Sequence, residues 1–147
     1  MQTTTFTQLN HGWNAEPNSP GPLVEITATT LRLSFFLTPF LFEAGDEEVA
    51  QLTFSGVRRW RLGPTNDEGW YRGQCRYGSL APAWGEFYEI GGDDPLREQQ
   101  YDWMETVARD QGGRHFLFYF RDDTFECLAD DWVMERGLTR AISKDGW

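Results

Sequence analysis

The clearest pattern of hydrophobic and polar positions lies in residues 114–130, RHFLFYFRDDTFECLAD, where two largely apolar runs flank a pair of aspartates. A period of two predicts β-strand, and the central pair Asp122 and Asp123 predicts a two-residue turn, so we expect an antiparallel hairpin. With that turn, Phe120 lies opposite Phe125. The register then gives one wholly apolar face, which consists of Phe116, Phe118, Phe120, Phe125, Cys127 and Ala129. We expect this face to turn inward.

The other face of the hairpin is mixed and carries the candidate chemistry. The same register pairs His115 with Asp130 and Tyr119 with Glu126, on a surface that could meet water, a ligand or a partner. Because a carboxylate can orient an imidazole as a general base, the candidate catalytic residues are His115, Tyr119, Glu126 and Asp130. The ordinary alternative is a set of cross-strand surface pairs, each worth about 0.2–1 kcal/mol.

Shorter strand patterns occupy most of the remaining chain. Strands are predicted near residues 23–29, 31–38, 49–62, 70–77 and 84–90, with a bulge or bend at Gly56. One helix is predicted over residues 95–111, because Asp94 can cap it, Pro95 suits its first turn and an apolar stripe includes Trp103 and Met104. From Trp132 onward the chain is expected to make a short excursion with a loose end.

These elements predict a mainly β (α+β) protein. We expect an antiparallel sheet curled into a sandwich or partly open barrel of about seven or eight strands, with the helix near residues 95–111 packed on it. We expect the 147 residues to form a single domain over positions 1–147, loose at both termini.

Composition restricts the partners. A net charge of −10 disfavours nucleic acid and anionic membranes and favours a basic partner. The charge is uneven, since five arginines accompany two acidic residues between positions 57 and 77. No signal peptide or membrane span is recognisable, so a cytoplasmic location is expected, and there Cys75 and Cys127 are expected to be buried thiols.

Sequence motifs of the common enzymes are missing. The chain contains no GxSxG, GxGxxG, HExxH or phosphate-binding loop, which favours a protein that is not an enzyme. The two histidines, His11 and His115, and the two cysteines have no metal-ligand spacing. No metal or cofactor is therefore predicted.

Aromatic residues and arginines provide the candidate binding surface. These residue types dominate the free energy of binding at protein interfaces. The candidates are Trp13, Trp60, Trp70, Arg72, Gln74 and Arg76. Trp13 is also expected to pin the proline-rich loop of residues 9–22. The ordinary alternative places the tryptophans in the core and the arginines at its rim.

Two functional readings follow. The first is a non-enzymatic acidic protein of a bacterial-type cytosol that recognises another protein, for instance an immunity or inhibitor protein whose acidic residues at 43–48 and 122–135 cover a basic active site. The second is an enzyme or small-molecule carrier with a pocket lined by His115, Tyr119, Glu126 and tryptophans. An exposed edge strand or aromatic patch would also support a homodimer.

Overall fold

The computed structural model describes residues 4–16, 20–38, 48–64, 77, 81–83, 85–92, 103–106, 113–120 and 123–138. Within these ranges the chain forms ten strands and no helix. The strands are β1 (Thr4–Gln8), β2 (Leu23–Thr27), β3 (Thr30–Phe36), β4 (Val49–Ser55), β5 (Arg59–Pro64), β6 (Phe87–Gly92), β7 (Met104–Glu105), β8 (Arg114–Tyr119), β9 (Asp123–Ala129) and β10 (Asp131–Leu138).

The strands are arranged in two antiparallel sheets. The six-stranded sheet has the order β1-β6-β8-β9-β5-β7, and the four-stranded sheet has the order β10-β4-β3-β2. Side chains from both sheets share one core, so the described part of the chain is an open sandwich. The mainly β, antiparallel architecture predicted from the alternation is confirmed.

The chain passes from one sheet to the other twice at a single corner. β4 leads into β5 through residues 56–58, and β9 leads into β10 through Asp130. Gly56 has a φ of +64°, and a Cβ there would collide with the Asp130 carboxylate. The Asp130 N–H donates to the Ser55 carbonyl at 2.8 Å, and Arg58 forms an ion pair with the Asp130 carboxylate. The bend requires glycine, which confirms the predicted bend at Gly56.

Aromatic rings fill the space between the sheets. Phe35 of β3 lies 5.2 Å from Phe118 of β8, measured between ring centroids. Phe54 of β4 lies 5.2 Å from Phe116 and 5.5 Å from Phe125. Because burying one such side chain contributes about 1.5–3 kcal/mol, this layer is a main source of stability. All six apolar residues of the predicted hairpin face are buried in it, as expected.

The hairpin itself has a different register from the predicted one. Phe118 lies opposite Phe125, and the Phe120 N–H donates to the Asp123 carbonyl at 2.8 Å. The predicted turn at Asp122 and Asp123 is therefore wrong, because Asp123 already belongs to β9 and bonds to Phe120. A shift of two residues keeps every side chain on its predicted face but changes all the cross-strand partners.

The predicted helix over residues 95–111 is wrong where the structure describes it. Residues 103–106 are extended, and Met104–Glu105 pair with Arg59–Trp60 at the edge of the six-stranded sheet. The Thr106 hydroxyl donates to the Val57 carbonyl at 2.6 Å. Pairing with an exposed strand edge thus outweighs the local helical pattern. The rest of the predicted helix lies outside the described residues, as does the strand predicted over residues 70–77 except for Tyr77, which is in a turn with a φ of +61° instead of a strand.

The predicted loose excursion after Trp132 is also wrong, because β10 is a strand paired with β4 along most of its length, with a register shift between Glu135 and Leu138. Trp132 and Met134 pack against the core, whereas Val133 and Glu135 are exposed. The alternation was present in the sequence, but the charged residues and Gly137 hid it. Across the described ranges, no helix of sufficient length and apolarity to traverse a bilayer occurs.

Candidate functional site

Three ionisable side chains meet on the face of the six-stranded sheet that points away from the four-stranded sheet. Nε2 of His115 in β8 is hydrogen-bonded to Oε1 of Glu126 in β9 at 2.8 Å. Nη1 of Arg61 in β5 donates to Oε2 of the same carboxylate at 3.1 Å. His115, Glu126 and Arg61 are called the buried polar cluster below.

The order of the strands explains how these residues meet. β9 lies between β8 and β5, so its central residue Glu126 has a neighbour on each side. Arg61 is directly opposite Glu126, whereas His115 is opposite Leu128 and reaches Glu126 diagonally. Diagonal neighbours on one face of a sheet are within reach of long side chains.

Aromatic residues cover the cluster. The Tyr77 ring meets the His115 imidazole edge-on at 5.7 Å, and the Trp103 ring lies 6.3 Å from it, measured between centroids. The Arg59 guanidinium lies 6.0 Å from the Trp103 ring, and its Nε is 3.7 Å from the Glu105 carboxylate. The side chains of His115 and Glu126 consequently have no solvent-exposed surface.

Burial determines what this cluster can do. A buried carboxylate is costly unless charged or polar partners compensate it, and each Glu126 oxygen has at least one such partner among the described residues. The carboxylate and imidazole have the geometry of an oriented base. However, a substrate reaches them only if the covering residues move apart. As the chain is folded here, the cluster acts as a structural element that fixes β5, β8 and β9 together.

The other two candidate catalytic residues lie elsewhere. Tyr119 is buried on the same face but packs in a second apolar cluster with Tyr88 and Leu117. Asp130 is at the corner, its side chain 59% exposed and paired with Arg58. The predicted pairing of His115 with Asp130 is therefore wrong. The shifted register places Glu126, not Asp130, beside the imidazole.

The candidate binding tryptophans that the structure describes pack inward. Trp13 is buried and stacks on Phe35 at 5.9 Å between centroids, so it pins its loop between the two sheets. Trp60 is half-buried and packs against the same core. Trp70, Arg72, Gln74 and Arg76 lie outside the described residues.

Arginines from the basic stretch are engaged with carboxylates where they are described. Arg58 pairs with Asp130, Arg59 with Glu105, and Arg61 with Glu126. The excess positive charge at residues 58–61 is therefore largely neutralised by carboxylates of the same chain, of which only Glu126 is buried. Sequence reasoning missed Arg59 and Arg61 as partners of the hairpin, and the only local signal was their alternation with Trp60 and Leu62.

A second, very different group of side chains lies on the outer face of β10. Val133 is 58% exposed, and it is flanked on the same face by Asp131 and Glu135, both exposed. Arg114 contacts the Asp131 carboxylate at 3.0 Å and also holds Glu89 at 2.7 Å. The hydrogen bond to Glu89 is the main cause that raises the pKa of Arg114. Asp131, Val133 and Glu135 are called the acidic edge below.

Neither metal chemistry nor similarity to known proteins adds a further site. Among the described residues, no group of histidine, cysteine, aspartate and glutamate side chains is arranged to hold a metal ion. Comparison with protein families, curated proteins and solved structures finds no match. The two groups of residues above are thus the basis for the functional proposal.

Proposed function

We propose that this protein is a non-enzymatic acidic protein that binds a basic surface of another protein in the cytosol, in the manner of an immunity or inhibitor protein. The observation that supports this proposal is the acidic edge. An exposed valine between two exposed carboxylates on an edge strand combines an apolar contact with charges that attract a basic partner. The overall charge of −10 also attracts a basic partner, at longer range.

The buried polar cluster argues against the enzymatic alternative. A general base must come within hydrogen-bond reach of the proton it removes, yet His115 and Glu126 are wholly buried and bonded to each other. The carboxylates of the acidic edge are exposed in the folded state, although Asp131 also contacts Arg114.

The test compares two matched double variants. Val133→Lys/Glu135→Lys reverses the acidic edge, and Leu23→Lys/Glu25→Lys makes the same change in charge on β2, at the opposite edge of the same sheet face. Each immobilised variant and the wild type are used to capture proteins from extract of the source cells. The captured protein is then purified and its affinity measured.

We expect the β2 variant to bind like wild type and the β10 variant to bind about a hundredfold more weakly or worse, because like charges are brought together. Binding should also weaken as salt concentration rises. A partner that binds both variants equally, or the capture of no protein at all, would refute the proposal.

One observation favours the small-molecule alternative. The Thr124 hydroxyl, on the same face as Glu126, is buried and has no hydrogen-bond partner in the part of the chain that the structure describes. A buried hydroxyl left unsatisfied costs about 1–3 kcal/mol, which a bound polar ligand would recover. Native mass spectrometry of the purified protein tests this directly. A bound metabolite that is lost in Thr124→Val would support the carrier reading, and an unliganded mass would reject it.

A further inference from the structure

β10 has one paired edge and one open edge. It is the outermost strand of the four-stranded sheet and pairs with β4 alone among the described strands. The Leu37 N–H donates to the Glu48 carbonyl, which extends the β3–β4 ladder and shows that even-numbered residues of β4 bond to β3. Hydrogen bonds of an antiparallel strand alternate between its two sides, so the odd-numbered residues of β4 bond to β10.

The main-chain groups of Trp132 and Met134 consequently point away from β4. Their β4 partners, Phe54 and Leu52, are even-numbered. The Trp132 N–H agrees with this geometry, because it donates to the neighbouring Asp131 carboxylate at 2.8 Å rather than to a strand. An edge of this kind is a template for another strand.

Side chains on the outer face determine which strand fits. Asp131, Val133 and Glu135 alternate with inward residues, so they repeat about every 6.6–6.8 Å along β10. A partner strand with basic, apolar and basic residues at every second position would place opposite charges across from the carboxylates and an apolar group beside Val133. Such cross-strand pairs stabilise a sheet.

We propose that β10 is a docking strand, to which an extended basic segment of the partner protein adds by main-chain hydrogen bonds as a further strand of the four-stranded sheet. This inference rests on the proposed function and specifies how the partner binds. The main chain supplies affinity, and the acidic edge supplies selection for basic residues.

A second copy of this chain is poorly suited to pair with the open edge of β10. In a two-fold antiparallel pair centred on Val133, Asp131 of one copy would lie opposite Glu135 of the other. Like charges directly opposite each other destabilise a sheet. The charge pattern therefore selects a basic strand and disfavours self-association.

The experiment uses a fluorescent peptide as the probe, with the sequence threonine-lysine-threonine-valine-threonine-lysine-threonine. A control peptide has both lysines replaced by glutamate. Binding is measured by anisotropy, and hydrogen exchange of the protein is followed with and without peptide. We expect saturable binding of the lysine peptide only, with new protection of the Met134 amide. Absence of saturable binding, or equal binding of the two peptides, would overturn the inference.

Three variants separate main-chain pairing from side-chain attraction. Met134→Pro removes an outward N–H without breaking the pairing to β4, Met134→Ala keeps that N–H, and Val24→Pro makes the equivalent change at the outer edge of β2. We expect the peptide and the captured partner to bind Met134→Pro about tenfold more weakly than Met134→Ala, because a hydrogen bond is lost and the ring obstructs the edge. Val24→Pro should bind like wild type.

The outcomes for the two proposals are distinguishable. If Val133→Lys/Glu135→Lys loses the captured partner while Met134→Pro and Met134→Ala bind it equally, the proposed function holds and strand addition is wrong. If no variant at β10 affects the partner, both proposals fail. A wild-type dimer in sedimentation that Met134→Pro dissociates would show that a second copy occupies the edge, which also overturns the inference.

Discussion

The buried polar cluster and the acidic edge use the same kind of residue for opposite purposes. Glu126 and Glu135 both lie on strands and both alternate with core residues. Glu126 is central in a sheet with an ionisable partner on each side, whereas Glu135 is exposed on an edge strand. Position in the sheet, rather than residue type, therefore decides whether a carboxylate stabilises the fold or remains available to a partner.

The largest expected difference is in stability. Glu126→Ala leaves Arg61 and His115 buried without their common partner, and we expect it to lower the free energy of unfolding by about 3–5 kcal/mol. The matched Glu135→Ala should change it by no more than about 0.5 kcal/mol. Urea denaturation of both variants measures the difference. Equal values for the two variants would mean that Glu126 is not the carboxylate on which the sheet depends.

The corner that connects the two regions gives the next largest effect. Gly56→Ala forces an L side chain to a φ of +64° and against Asp130, so a loss of about 1–3 kcal/mol is expected. Gly12→Ala is the control, because Gly12 has a φ of +78° but open space around its Cβ position. Thermal or urea unfolding should show the larger loss for Gly56→Ala. The opposite order would contradict the close approach of Asp130 at this corner.

The stability of the protein is expected to depend on pH through Cys127, which lies in the core behind the hairpin. Burial raises the pKa of the Cys127 thiol well above its usual value of 9.0, so the folded protein keeps this proton after the unfolded chain loses it. The contribution of the Cys127 thiol to the free energy of unfolding is therefore fully present below pH 9. Above pH 9 this contribution falls, by at most about 1.4 kcal/mol per pH unit. Denaturation of wild type and Cys127→Ala between pH 8 and 10 should show a shallower decline in the variant.

Thiol labelling compares the solvent accessibility of buried Cys127 with that of a cysteine placed on the acidic edge. In a Cys75→Ser background, Cys127 should resist a thiol reagent until the protein unfolds, whereas an added Val133→Cys should react at once. Rapid labelling of Cys127 in the native state would show that the core is open to solvent.

The faces of the strands were predictable from sequence, but their partners were not. Period-two alternation placed Phe116, Phe118 and Phe125 inward without any tertiary information. The register depended on one turn, and two adjacent aspartates did not define it. As a result, His115 was assigned to Asp130 instead of Glu126. Arg61 could not be found at all, because β5 and β9 are adjacent only in the folded sheet.

The acidic edge was only partly predictable. The acidic segment of residues 122–135 was recognised, but it contains Glu126, which is buried, as well as Glu135, which is exposed. Separating the two requires knowing that β9 is central and β10 is at an edge, which local patterns do not encode. At residues 103–106 the helix prediction failed for the same reason, since the edge of β5 was available to Met104–Glu105.

We expect the partner to bind the acidic edge and not the buried polar cluster. The most direct test is the affinity of the captured partner for Glu135→Lys and for Glu126→Gln, with circular dichroism showing that both are folded. We expect Glu135→Lys to bind at least about tenfold more weakly than wild type and Glu126→Gln to bind equally well. Loss of binding in folded Glu126→Gln, with binding retained in Glu135→Lys, would show that the partner depends on the buried polar cluster instead of the acidic edge.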